Sequence, residues 1–213
     1  MILSGELAIG QKLPPERELA QKMQISRSVV NDGIAEMARL GFLEISPRQG
    51  TVVADFHRNG TLDILVSIMS YNGGQLPREE IRSILEIRGV MMAFALESAI
   101  PRMTEEQLSE LRAQGEAFAR ARGAEEASQL IYDFDHMLSG FSNNTLLPLF
   151  FCSFKTPIKE LWRRYVTRNG VSVLKQRNDE LLECIARKDT AAAKRVISDS
   201  IAETISGRTE IYN

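Results

Sequence analysis

Pro14-Pro15-Glu16-Arg17-Glu18-Leu19-Ala20, followed closely by Ser26-Arg27-Ser28-Val29-Val30, is the stretch on which the reading of this chain turns. Proline suits the first turn of a helix, where its missing N–H would have had no partner, and Glu16 and Glu18 complement the positive end of the helix dipole. The pattern predicts a helix running to about Met23. Gln24-Ile25 then make a tight connection. Ser26 is a good N-cap for a second helix to about Leu40, with Val29, Val30, Ile34, Met37 and Leu40 as its apolar positions. Two short helices across a turn of this length form a helix-turn-helix. After Gly41, Phe42-Leu43-Glu44-Ile45 and Thr51-Val52-Val53 are β-rich and flank Ser46-Pro47-Arg48-Gln49-Gly50, which reads as a hairpin. Residues 1–58 are therefore expected to form a winged helix-turn-helix.

Working outward, the character of the sequence changes near residue 60, from short punctuated pieces to long amphipathic stretches with few breaks. Residues 61–71 read as a helix ended by Asn72-Gly73-Gly74, within a linker spanning 59–75. A helix is expected from Pro77 to about Ala99, and Thr104-Glu105-Glu106-Gln107 is a capping box that starts another, ending near Gly123. The next, from about Ala124 to Ser142, carries Leu130, Phe134, Leu138 and Phe141 on one stripe. A long segment from Leu146 to Val166 is expected to bend at Pro157, and helices at about 171–187 and 190–206 follow, the last capped by Thr190. The fold class is thus mainly α: an N-terminal winged helix-turn-helix with a small β-hairpin wing, then an all-α bundle over 76–213. Six or seven antiparallel helices of this length can enclose a cavity.

Composition narrows the function classes. The net charge of −2 and a pI near 5.8 argue against a protein that coats nucleic acid or acidic membranes non-specifically, so any DNA contact is local. Cys152 and Cys184 are too few for a disulfide framework and lack zinc spacing, which fits a reduced cytoplasmic compartment. The longest apolar runs fall short of the roughly 20 residues that a membrane span needs. No Gly-rich phosphate loop, GxSxG, HExxH or Cys/His pair at useful spacing suggests an enzyme, so no catalytic residues and no cofactor are assigned.

Several separated blocks across residues 2–53 resemble the DNA-binding domain of the GntR family of bacterial transcription regulators: Ile2-Leu3-Ser4-Gly5-Glu6-Leu7, Gly10 to Ala20, Ser26 to Val30, Leu40-Gly41-Phe42-Leu43 and Gly50-Thr51-Val52-Val53. That resemblance implies DNA contact by Arg17 and Arg27, and an arginine early in a recognition helix can make a two-pronged bond to guanine. Ser26, Ser28 and Asn31 accompany Arg27, Lys22 is expected to touch phosphate, and Arg48, Gln49 and Gly50 form a wing tip that can enter the minor groove. The chain departs from the family pattern at Asn31, where an arginine is usual, at Gly33, where alanine is usual, and at Pro15, where a serine or threonine cap is usual. The usual first helix begins well before Ile2-Leu3, which leaves a true and a truncated start both open.

The helical half resembles the effector-binding domains that follow such winged helices, in a metal-binding form called FCD and a FadR form. The block Phe134-Asp135-His136 through Asn143-Asn144 is similar to the FCD block, whose Asp and three His ligands carry over to Ile131, Asp135, Asn178 and Ser200. Because none keeps its ligand and the chain has only His57 and His136, no bound metal is expected. Residues 143–166, with Arg163 and Tyr165, resemble FadR proteins that bind long-chain acyl-CoA. The polar candidates for an effector pocket are Arg82, Glu86, Asp135, Tyr165, Asn178 and Ser200, while Trp162 and Met91-Met92 read as core and His136 as a surface or supporting residue. The function these features imply is a homodimeric, sequence-specific regulator that binds double-stranded operator DNA under control of a small effector, an acyl-CoA or other amphipathic carboxylate. Two alternatives stay open: a helical interaction protein with a decayed winged helix, and a regulator of sugar-acid or organic-acid metabolism.

Overall fold

A computed structural model of the chain describes residues 1–46, 50–61, 63–71 and 76–212. The chain divides into two compact units, Met1–Gln75 and Leu76–Asn213. In the first, α1 (Glu16–Met23) and α2 (Arg27–Leu40) form the helix-turn-helix. Gln24 adopts the left-handed conformation at φ 57, and the N–H of Ile25 closes α1 by donating to Ala20 O at 3.1 Å. Ser26 Oγ then accepts the N–H of Val29 at 3.3 Å, a cap worth about 1 kcal/mol.

The wing is β1 (Leu43–Ser46) paired antiparallel with β2 (Gly50–Val53), Leu43 opposite Val53 and Ser46 opposite Gly50. A third extended piece, not anticipated from sequence, runs along the other edge of β2. Leu13 N–H donates to Thr51 O at 2.8 Å and Val53 N–H donates to Gln11 O at 2.9 Å. Two short helices, α3 (Phe56–Asn59) and α4 (Asp63–Tyr71), complete the unit. Leu7, Phe42, Leu43, Val53 and Ile64 make its core, with Ile34, Met37 and Phe56 packed against them. Val29 does not join that core: it is 53% exposed whereas Val30 is buried. Adjacent helix positions differ by about 100° in direction, so both cannot face the same core.

The described residues of the second unit form seven α-helices: α5 (Arg78–Ala99), α6 (Glu105–Ala117), α7 (Ala124–Gly140), α8 (Leu147–Ser153), α9 (Lys155–Asn169), α10 (Val171–Ala186) and α11 (Thr190–Ser206). α7 is central, lying along α9 and touching α5, α6 and α8, while α5 packs on α11. Fully buried Phe118, Phe134, Leu138, Leu111 and Phe151 fill the space around it.

The capping box at Thr104 forms as expected. Three expectations need correction. α6 stops at Ala117 and a single 3₁₀ turn, Phe118–Arg120, carries the chain on, because the Phe118 ring turns into the core. The segment 146–166 is two helices broken at Phe154, not one helix bent at Pro157; Pro157 lies in the first turn of α9, where no helical N–H bond is lost. The last helix is capped by Asp189, whose Oδ1 accepts the N–H of Ala192 at 2.8 Å, so Thr190 is its first helical residue.

A candidate DNA-contact surface and a candidate ligand hollow

On the first unit, the start of α1, the exposed face of α2 and β2 border a concave surface of about 780 Å³ lined by Lys12, Arg17, Arg27 and Gly50 among others. Arg17, Lys22, Ser26, Arg27, Ser28 and Asn31 are all exposed. Arg27 donates from Nε to Glu16 Oε2 at 3.1 Å, and the Asn31 amide nitrogen faces the same carboxylate at 2.6 and 2.9 Å. Glu16 thus gathers two side chains of α2. Ser28 Oγ lies 2.9 Å from Ser26 Oγ, and Lys22 is paired with Glu6 at 3.0 Å. Such exposed pairs are worth at most about 1 kcal/mol, so DNA phosphates can displace them.

Gly50 has φ +99, and a β-carbon there would stand 2.6 Å from Lys12 Cε. The positive φ favours glycine here, and the end of the Lys12 side chain lies against it. Lys12, absent from the sequence-derived candidates, therefore reaches the concave surface because the unexpected third strand brings it beside β2. Arg48 and Gln49 lie outside the described residues.

In the second unit the expected effector residues separate into two groups. Arg82 and Glu86 are an exposed surface pair, Nε to Oε1 3.0 Å, and line no interior space; at four residues apart on α5 they bond to each other instead. Asp135, Tyr165, Asn178 and Ser200 do converge on the interior. Two adjoining hollows share Arg88, Trp162 and Ser200: one is also lined by Ile131, Asp135 and Asn178, the other by Leu85, Ile158, Leu161, Tyr165, Ile201 and Ile211. Their free volumes are about 30 and 20 Å³, room for a water or two each.

Arg88 is the residue the sequence reading missed. Buried on α5, its Nε and Nη2 donate to Asp135 Oδ2 at 2.9 and 2.8 Å, and its guanidinium lies 4.5 Å from the centre of the Trp162 ring. Its charge disguised it: a buried arginine is rare, and no local pattern distinguishes it from Arg82 six residues before. Burial pushes the Asp135 carboxyl up from its ordinary range, and the Arg88 guanidinium opposes that. Around this pair both polar atoms of the Asn178 amide are buried without a hydrogen-bond partner, while the Trp162 side chain reaches the Asp135 carboxylate and the Tyr165 hydroxyl reaches Thr209. Each unpaired group costs about 1–3 kcal/mol. Arg177, also on the wall, is engaged by Ser200 Oγ at 2.6 Å and by Glu203. Gly115 of α6 backs the site, and a β-carbon there would lie 2.7 Å from Asn178 Oδ1 and 2.8 Å from Leu182 Cδ1.

The four positions to which metal ligands carry over, Ile131, Asp135, Asn178 and Ser200, do border one hollow. They offer one carboxylate, already bonded to Arg88, one amide, one hydroxyl and an alkyl group. That donor set does not fit a divalent transition metal, which prefers imidazole nitrogen. Among the described residues no cluster of three His, Cys, Asp or Glu side chains could hold one. His136 instead faces Cys152, Nε2 to Sγ 3.4 Å, a contact between helices that spacing along the chain does not reveal. Trp162 lines both hollows as well as packing on Tyr165. Met92 is fully buried.

Residues 1–53 match the bacterial regulatory proteins of the gntR family, and residues 83–203, more than half the chain, match the FCD domain. The chain belongs to the GntR family of transcription regulators and carries an FCD domain. It is 34% identical over 110 residues to the HTH-type transcriptional regulator Mce2R of Mycobacterium tuberculosis, covering 52% of this chain and 45% of that one. It is 29% identical over 160 residues to the fatty acid metabolism regulator protein of Shewanella pealeana, covering 73% of this chain and 64% of the other. The chain thus spans from under half to about two-thirds of the regulators it matches. Its fold is that of a Streptococcus agalactiae GntR structure, with a TM-score of 0.53 at 21% identity over 96% of this chain and 93% of that one. Among the described residues no helix is long and apolar enough to cross a membrane.

Proposed function

We propose that this chain is a homodimeric, sequence-specific DNA-binding regulator whose affinity for a double-stranded operator is set by a small amphipathic carboxylate held in the helical unit. The observation that carries this reading is the convergence of the buried Arg88–Asp135 pair, Trp162 and the unpartnered Asn178 amide on two adjoining hollows inside an otherwise apolar bundle. A buried amide with neither polar atom engaged, beside an interior space, supports a polar ligand there. The name of the Shewanella relative supports a fatty-acid-derived effector.

DNA binding rests on Arg17 and Arg27 at the concave surface, with Ser26, Ser28 and Asn31 beside Arg27 and with Lys12 and Lys22 on phosphates. A winged helix of this kind reads paired half-sites, one recognition helix per subunit. The test has two parts. Duplexes selected from a random library by the purified protein should be imperfect inverted repeats bound by two chains in light scattering; a monomer with and without DNA would refute the dimer. Mass spectrometry of small molecules released from the protein should find an acyl-CoA or fatty acid, and adding it back should change operator affinity. A lack of any selected sequence would overturn the assignment.

A further inference from the structure

We infer that residues 207–212, which follow α11, form a strap that closes the apolar hollow with Ile211 and is the part that swings away when the hollow opens. The inference concerns the regulation of that hollow and rests on its reading as an effector site. Ile211 is 2% exposed and Thr209 is 8% exposed, although both lie on a segment outside any helix. Ile211 lines the hollow with Leu85, Ile158, Leu161, Trp162 and Tyr165 among others. Among the described residues, every other side chain that lines either hollow belongs to α5, α7, α9, α10 or α11. With free volumes of only about 20 and 30 Å³, anything larger than a water or two must displace one of these groups. A side chain on a short irregular segment moves at far less cost than one fixed on a packed helix.

The way the strap is held suits a part that opens. Gly207 turns the chain back beside α11, and a β-carbon there would stand 2.6 Å from Glu203 Cα, so a larger residue would push the turn away. Beyond it, Arg177 Nη2 donates to Thr209 Oγ1 at 3.3 Å, and the Tyr165 hydroxyl reaches the same threonine. Arg78, the first residue of α5, lies with Nη2 3.9 Å from Glu210 Oε1 and with its guanidinium 4.3 Å from the centre of the Tyr212 ring. Arg208 and Glu203 stand 3.8 Å apart at the turn. Arg78 and Arg208 are exposed and their ion pairs are long, so each adds little and the burial of Ile211 is the main hold. Arg78 also stands just beyond the boundary between the two units at Gln75 and Leu76. A strap that lets go of Arg78 therefore alters the head of α5, the end of the helical unit from which the chain runs to the first unit.

Trp162, the chain's one tryptophan, lines the same hollow as Ile211 and reads the state of the strap. Acrylamide quenching of its emission in the full chain should rise by about threefold or more in Gly207→Val, whose side chain leaves no room for the turn. Amide hydrogen exchange should speed up in residues 207–212 and stay unchanged in α9. Arg78→Ala, a surface change that leaves the core filled, should raise quenching by a smaller factor and serves alone if Gly207→Val does not fold. Stopped-flow mixing with octanoate as the probe, followed by Trp162 emission, should show association about tenfold faster in Gly207→Val, because opening no longer has to precede entry. Wild-type quenching in both variants, a rise in quenching that comes with faster exchange in α9, or an octanoate association rate that neither variant changes would each overturn the inference. If quenching responds to the strap variants but octanoate neither binds nor changes operator affinity, the strap stands as the closure of the hollow and the effector reading fails.

Discussion

Arg27 donates its Nε–H to Glu16 at 3.1 Å, so the first residue of α2 is held by the first residue of α1. The bond engages Nε and leaves the terminal Nη pair, the edge that grips guanine O6 and N7, directed by a neighbour and not by chance. Glu16 holds Asn31 as well. Glu16→Gln should raise affinity for random DNA, since a negative charge near the phosphates is gone, while lowering the ratio of specific to random binding. Stability should change by less than about 1 kcal/mol, because the pair is exposed. Fluorescence anisotropy with a selected operator and a scrambled duplex measures both. An unchanged ratio would mean that Glu16 orients nothing.

Arg27→Ala should cost roughly 1–3 kcal/mol on the selected operator, concentrated on one base pair, with the fold intact. Lys22→Ala should weaken all sequences alike and lower the slope of log affinity against log salt by about one unit. Equal loss on specific and random DNA for Arg27→Ala would assign that side chain to the backbone.

Gly33 lies within α2, and a β-carbon built there meets nothing within 4 Å. Its flexibility destabilises the helix without any gain in packing. Gly33→Ala should therefore stabilise the first unit by about 1 kcal/mol, seen as a higher urea midpoint by circular dichroism. A fall in the midpoint would reveal a contact to this face in solution.

The Arg88 and Asp135 pair should respond asymmetrically. Asp135→Ala leaves a buried guanidinium uncompensated and should cost about 3–5 kcal/mol, whereas replacing both partners, Arg88→Met with Asp135→Leu, should cost far less. Trp162, the chain's one tryptophan, sits against the pair and reports the unfolding of this unit by fluorescence. Comparable losses in the single and double variants would mean that the pair contributes net stability of its own.

The helix-turn-helix and wing were legible because their signals are local: a proline start, a serine cap, a glycine stop and two β-rich runs each act within a few residues. Long periodic stretches announced the helices of the second unit, although the break at Phe154 was hidden because Pro157 looked like the stronger breaker. Lys12 and Arg88 were not legible. Lys12 reaches the concave surface only through pairing of residues 11–13 with β2, and Arg88 is distinguished from Arg82 only by which face of α5 the fold buries. Conversely, Arg82 and Glu86 looked like a site because a polar pair four apart is conspicuous in sequence, although such a pair mostly satisfies itself.

The missing β-carbon of Gly115 gives α6 a say in what happens beyond it. A single methyl at that position would claim the space now held by Asn178 Oδ1, at 2.7 Å, and Leu182 Cδ1, at 2.8 Å, so those side chains would have to shift. Gly115→Ala would therefore alter the wall of the hollow from a helix that lends it no lining side chain, while leaving the first unit unchanged.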